Sequence, residues 1–249
     1  MAEHTLKDKV AVIGGGEKNL GGLLSRTFAE AGAKVVVHYH TSEKEAEETV
    51  QAIRDAGGQA VSAQGDLTDV AAVRQLFDTV VDTYGGVDVA VNTTGMVLRK
   101  PILETTEDEY DRMFGINAKA AYFFIQEAGR RLNDHGKIIS LGTSLLAAFT
   151  DGYSTYAGGK APLEHFTRAA AKEFADRSIS VNVVAPGPMD TPFFYGQETP
   201  ERVEFHKSQA MGGQLTHIED IVPLIRFLAT EGWWITGQTL FANGGYTTR

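Results

Sequence analysis

Val10-Ala-Val-Ile-Gly-Gly-Gly-Glu-Lys-Asn-Leu-Gly-Gly22 decides the fold of this chain. Four apolar, mostly β-branched residues read as a buried strand, and the glycines that follow end it abruptly. Glycine lets the backbone turn tightly and lets a pyrophosphate approach the N-terminus of the next helix, where free N–H groups point outward. A glycine-rich turn can be mere punctuation. After the first strand of a βαβ unit it predicts a nucleotide site.

The rest of the chain repeats that unit. Strand-like apolar runs lie at Val10–Ile13, Ala33–Tyr39, Ala60–Ala63, Val87–Val91, Lys137–Leu141, Ile179–Ala185 and Gln238–Ala242. Helical patterns lie between them, near 20–31, 42–56, 69–84, 107–133, 155–176 and 217–230. Such alternation predicts an α/β fold, a doubly wound, seven-stranded parallel sheet of the Rossmann type with helices on both faces. Strands apolar almost throughout fit burial on both sides. Residues 1–249 read as a single domain. Its one break in rhythm, rich in proline and glycine, predicts a substrate lid at about 188–214.

Composition narrows the function. At 43% hydrophobic and 22% charged, the chain is an ordinary globular protein rather than a disordered one. The net charge of −9, with no basic block, argues against nucleic acid or an anionic membrane as a partner. No cysteine is present, which excludes disulfides, thiolate metal sites and a cysteine nucleophile. A polar start and the lack of a long apolar run predict a cytoplasmic protein. No metal site is expected.

Tyr156-Ala-Gly-Gly-Lys160 carries the expected chemistry. Tyr and Lys four apart share a helix face, with roughly 6 Å between their side-chain roots. An ammonium there favours the phenolate and lowers the phenol's pKa. With 8 Tyr in the chain the spacing alone is a weak signal. Its place after the fifth strand, downstream of a nucleotide turn, points to hydride transfer at a carbon bearing oxygen.

Further motifs fall at the ends of strands. The turn has Gly15, Leu20 and Gly21 with Asn19 between; Asp66-Leu67 follows the third strand, and Asn92-Thr-Thr-Gly95 the fourth. Asn117 lies on the next helix, and Pro186-Gly187 with Met189 and Thr191 follows the sixth strand. Together these resemble the short-chain dehydrogenase/reductase family over nearly the whole chain. The family's turn reads Thr-Gly-x-x-x-Gly-x-Gly; Gly14 takes the Thr place and Asn19 that of the middle glycine, and Asn tolerates positive φ. The resemblance implies that Tyr156 is the general acid or base, that Lys160 holds the nicotinamide ribose, and that Asn117 holds a water linking Lys160 to solvent. It implies a contact of Asp66 with adenine and of residues 186–191 with the nicotinamide end. The family also uses a hydroxyl, usually thirteen residues before the Tyr. That is Thr143, with Ser144 serving if the loop is one residue shorter. Relatives commonly form tetramers, so a homotetramer is expected.

The second strand ends at Tyr39, where an NAD enzyme wants an acid for the ribose 2′-hydroxyl. His40, Thr41 and Ser42 follow it, and Lys18 stands just before Asn19. These donors suit a 2′-phosphate, so the expected cofactor is NADP(H). Met96, Leu98, Phe149, Tyr153, Phe193 and Phe194 are the expected walls of an apolar pocket; none is an acid or Arg, which argues against a charged substrate. The reading is an NADPH-dependent reductase acting on a small-molecule ketone or aldehyde. Its alternatives are an NAD-dependent alcohol dehydrogenase and a dinucleotide-binding regulator without turnover.

Overall fold

Along β1 (Val10–Gly14) side chains alternate between two cores. Ala11 and Ile13 pack with helices α1 (Asn19–Glu30), α2 (Glu43–Asp55) and α10 (Ile218–Ala229) on one face of a sheet. Val10 and Val12 pack with α3 (Val70–Tyr84), α5 (Ala120–Arg131) and α7 (Pro162–Glu173) on the other. Two residues per repeat send successive side chains to opposite faces, so a strand buried on both sides must be apolar throughout. The computed structural model describes residues 4–148 and 150–248, and the expected wall residue Phe149 lies outside them.

The other strands are β2 (Lys34–Tyr39), β3 (Gln59–Gln64), β4 (Val87–Asn92), β5 (Leu132–Leu141), β6 (Ser180–Pro186) and β7 (Thr239–Ala242). They form one sheet in the order β3-β2-β1-β4-β5-β6-β7, every neighbouring pair parallel. The seven expected strands and the doubly wound topology are therefore present. The order reverses between β1 and β4, which opens a crevice at the carboxyl ends of those strands.

Four segments differ from expectation. The helical stretch near 107–133 is α4 (Glu107–Phe114), one π-helical turn at Gly115–Lys119, and α5. α4 begins with a capping box in which Thr106 and Glu109 satisfy each other's backbone N–H groups. β5 starts at Leu132, five residues earlier than the apolar run, with a register irregularity where it meets Val87–Val89. The stretch near 155–176 is two helices, α6 (Ser154–Lys160) and α7, because Pro162 has no N–H for the ladder. The expected irregular lid holds two short helices, α8 (Pro192–Tyr195) and α9 (Pro200–Ser208), each opened by a proline at its start. No helix among the described residues is long and apolar enough to cross a membrane.

Candidate active site

The turn after β1 is built for close approach. Gly15 has φ +69°, and a Cβ on Gly21 would lie 1.9 Å from the Gly15 carbonyl oxygen. Only glycine fits at 21, and the gap it leaves lets the backbone fold over the start of α1. Asn19 takes the positive φ expected of it, 48°. No side chain caps the first N–H groups of α1. Lys18, Asn19, Leu20 and Gly21 line a cavity of about 470 Å³ at the topological switch point. A bare helix start, a glycine cradle and free space together fit a pyrophosphate.

His38 holds this turn from below, a role the sequence did not suggest. The Gly15 N–H donates to its Nδ1 at 3.1 Å, and its Nε2 lies 3.0 Å from the Gly65 carbonyl oxygen. Both bonds are made only by a neutral ring with its proton on Nε2. Burial, the largest cause, drives its pKa from 6.5 down to about 4. Thr93 ties the turn from above, donating to the Gly14 carbonyl at 2.8 Å.

At the outer end, the Lys18 ammonium donates to Ser42 Oγ at 2.7 Å, and His40 Nε2 lies 3.9 Å from Asp66 Oδ2. Lys18, His40, Asp66 and Leu67 line the cavity. Ser42 joins only through Lys18, and Thr41 is exposed outside the cavity. Asn92 is buried behind the cavity rather than lining it; its Oδ1 accepts from Thr94 N at 3.0 Å and from Thr94 Oγ1 at 2.6 Å. That spends the oxygen on the bend after β4.

The inner end gathers Thr143, Ser144, Tyr156 and Lys160 with Gly95, Met96, Pro186, Gly187, Met189 and Thr191. Tyr156 is hydrogen-bonded to Thr143, whose hydroxyl also accepts from Leu145 N at 3.3 Å. Ser144 accepts from Asn243 Nδ2 at 3.1 Å. The expectation that Lys160 lowers the phenol's pKa does not hold in the free protein. Burial pushes Tyr156 up to about 12, and the bond from Thr143 offsets only part of that. Burial likewise lowers Lys160 to about 8. The Lys160 ammonium donates to the Leu141 carbonyl at 2.9 Å and the Thr94 carbonyl at 3.3 Å. Asn117 sits in the π turn and does not line the cavity. Its amide donates to the Met96 carbonyl at 2.8 Å and its oxygen accepts from Met96 N at 3.2 Å. A Cβ on Gly95 would lie 3.0 Å from both Asn117 Oδ1 and Lys160 Nζ, so the two side chains meet behind that glycine.

The walls are aromatic. The Tyr156 ring lies 6.1 Å from Tyr153 and 6.3 Å from Phe193, centre to centre, with Phe194 beyond. Leu98 does not line the cavity, because after Val97 the chain leaves to meet the lid, where Arg99 N donates to Gln197 Oε1. An acid stands beside the residues expected at the wall: Glu198 lines the cavity with its side chain fully buried, beside His206 and Tyr246. These three were missed because they come from the lid and the C-terminal segment, and no spacing in the sequence relates them.

A crevice that cradles a diphosphate at one end and places an ionisable phenol at the other is suited to hydride chemistry. The class is that of dinucleotide-dependent oxidoreductases. Residues 15–247 match the family model described as enoyl-(acyl carrier protein) reductase. The chain is 34% identical to the short chain dehydrogenase mdpC of Emericella nidulans, covering 98% of this chain and 97% of that one. It is 32% identical to an NADPH-dependent aldehyde reductase-like protein, chloroplastic, of Arabidopsis thaliana, over 97% and 95% of the two chains. A candidate dehydrogenase of Burkholderia cenocepacia, solved with bound NADP, superimposes with a TM-score of 0.97 at 56% identity, over 100% of this chain and 97% of that one. The chain belongs to the short-chain dehydrogenase/reductase family.

Proposed function

We propose that this protein is an NADPH-dependent reductase of ketones or aldehydes in which Tyr156 is the proton donor. The observation that carries the reading is a phenol held protonated by burial, with its pKa near 12, hydrogen-bonded to Thr143 and opening on the cavity. A group in that state gives a proton to a developing alkoxide. NADPH, when bound, supplies the hydride that the carbonyl carbon takes.

The residues divide the remaining work. Thr143 orients the carbonyl oxygen against Tyr156 and stabilises the charge that grows there. Tyr156 passes its proton to that oxygen and is left as a phenolate. Lys160, with its pKa near 8, exchanges protons close to neutral pH and stabilises that phenolate once it forms. Asn117 fixes the strand-end loop against Lys160 through its two bonds to Met96. Lys18, Ser42 and His40 hold the 2′-phosphate, a reading supported by the lack of an acid at Tyr39 and by the bound NADP of the Burkholderia relative. The Arabidopsis relative, named for NADPH-dependent aldehyde reduction, supports the direction of the reaction. Exposed aromatic residues on α4, α5 and after α10, Tyr110, Tyr122 and Trp234, support a homotetramer, which analytical ultracentrifugation reads directly.

The test is NADPH consumption over a panel of ketones, aldehydes, quinones and acyl thioesters, with Tyr156→Phe as the control. The variant is expected to lose at least a thousandfold in kcat and to keep its Kd for NADPH. A variant that turns over like the parent refutes the role of Tyr156. A parent that reduces nothing in the panel favours the regulator instead.

A further inference from the structure

The lid end of the cavity holds a polar cluster for which proton and hydride transfer have no use. Glu198 stands between α8 and α9 with no side-chain exposure. Its Oε1 accepts the Tyr153 hydroxyl at 2.5 Å and lies 3.3 Å from His206 Nε2. Its Oε2 lies 3.8 Å from Arg99 Nε, an ion-pair distance without a hydrogen bond. On the far side, His206 Nδ1 meets the Tyr246 hydroxyl at 2.8 Å. Tyr153, Glu198, His206 and Tyr246 line the same cavity as Tyr156.

Three atoms of this cluster are buried and have no hydrogen-bond partner among the described residues: Glu198 Oε2, His206 Nε2 and Arg99 Nε. Leaving such groups unmet is costly, so a cluster kept in this state is matched to something that enters. Their chemistry says what. The carboxylate oxygen 3.3 Å from Nε2 favours the tautomer with its proton there, and Tyr246 then donates to Nδ1. The cluster then offers one free acceptor and two free donors, His206 Nε2 and Arg99 Nε. A hydroxyl gives one hydrogen bond and can take two, and so suits all three. An ether or carbonyl only accepts and leaves the carboxylate unmet. An ammonium only donates and leaves His206 unmet. Charge points the same way, since Arg99 already balances Glu198 and burial lowers the pKa of His206. An added cation would go uncompensated, and an anion would face the carboxylate.

We propose that Glu198 and His206 form a subsite for a hydroxyl group of the substrate, so that the substrate class is a neutral carbonyl compound carrying a hydroxyl away from its reacting carbon. The proposal rests on the reading of Tyr156 as the group that meets the carbonyl. The body between the two ends is a flat apolar one. Tyr153, one ring away from Tyr156, reaches Glu198 with its own hydroxyl, and Phe193 and Phe194 close the opposite side.

The probes are phenyl ketones with the carbonyl zero, one or two methylenes from the ring, each paired with its ring-hydroxylated counterpart. Calorimetry on the protein–NADP⁺ complex reads the subsite without turnover. At least one hydroxylated ketone is expected to bind tenfold or more tightly than its partner. Glu198→Gln and His206→Phe are each expected to lower that ratio at least threefold, with the Kd for NADPH confirming that the variant is folded. Equal affinities within every pair of the parent protein, or no binding by any probe, overturn the proposal without a variant. A preference that survives both substitutions overturns it as well. NADPH oxidation with the same ketones separates the two readings. Selective binding without turnover of any ketone sinks the reductase and leaves the subsite. Turnover without selectivity sinks the subsite and leaves the reductase.

Discussion

Thr143 and Ser144 are adjacent hydroxyls, and their partners predict opposite consequences for removing them. Thr143→Val keeps the shape of the side chain and removes the oxygen that bonds Tyr156. If that oxygen also stabilises charge on the carbonyl, its loss costs about 10²–10³ in kcat, or about 3–4 kcal/mol of barrier. The folded state loses that bond and the weak one from Leu145 N at 3.3 Å, together worth about 2 kcal/mol and several degrees in Tm for a chain of this size. Ser144→Ala removes an acceptor from Asn243, whose amide keeps a second acceptor in the Thr247 carbonyl at 3.2 Å. That change is expected to cost about 1 kcal/mol of stability or less and to leave kcat within about threefold. The assay is single-turnover reduction at saturating NADPH, beside thermal denaturation of both variants. A kcat loss for Ser144→Ala equal to or larger than that for Thr143→Val refutes the reasoning. Small equal losses mean that neither hydroxyl acts.

Three further outcomes follow from the nucleotide end. Lys18→Ala is expected to raise the Kd for NADPH about tenfold while leaving that for NADH within about twofold; an unchanged ratio removes Lys18 from the phosphate site. Gly21→Ala forces a Cβ to 1.9 Å from the Gly15 carbonyl, so the turn must open. Its NADPH affinity is expected to fall at least tenfold by fluorescence titration, and parental affinity would mean the turn is not the cradle. His38 binds no proton in the folded protein until about pH 4, whereas the unfolded chain takes one near 6.5. Stability from this group is thus complete above about 6.5 and is lost as pH falls towards 4, roughly 3 kcal/mol in all. Urea midpoints of the parent and of His38→Asn between pH 7 and 4 measure it; a parent with no steeper decline than the variant counts against the neutral ring.

The fold was legible because its strands carry their burial in their composition. Val10–Ile13 and Val89–Val91 are apolar without alternation, and only a sheet covered on both faces uses such runs. Where polar residues enter a strand, the reading stopped short. Asn133-Asp-His-Gly136 sits inside β5 and resembles a turn, yet Leu132 pairs with Val87 and draws the segment into the sheet. The π turn at Gly115–Lys119 was hidden for another reason, since one inserted residue leaves the local helical pattern intact. In the site, residues tied to one strand end were found, and spacing narrowed the assisting hydroxyl to two. Of those two, Ser144 takes a hydrogen bond from Asn243, about a hundred residues away, a contact that no spacing shows. The Glu198 cluster draws on α6, the lid and the C-terminal segment, so only the folded chain brings it together.

The Tyr156–Lys160 pair shows why spacing predicted the partners but not their state. Four residues on one helix bring the two roots together, and Coulomb attraction alone would then favour phenolate beside ammonium. Both groups lie in an apolar crevice, however, and burial penalises whichever form is charged. It therefore moves the acid up, to about 12, and the base down, to about 8. Lys160 meanwhile gives its N–H groups to the Leu141 and Thr94 carbonyls instead of to the phenol. Forming the phenolate at pH 7 in the free protein costs roughly 7 kcal/mol on these values. A proton donor tolerates that, since its proton leaves only when a developing alkoxide takes it. A general base does not tolerate it, because alcohol oxidation must begin with the proton already off. The same burial that raises the phenol fits the proposed role of Tyr156 as a proton donor. It also assigns to the positive charge of an oxidised nicotinamide whatever lowering of the phenol the reverse reaction requires.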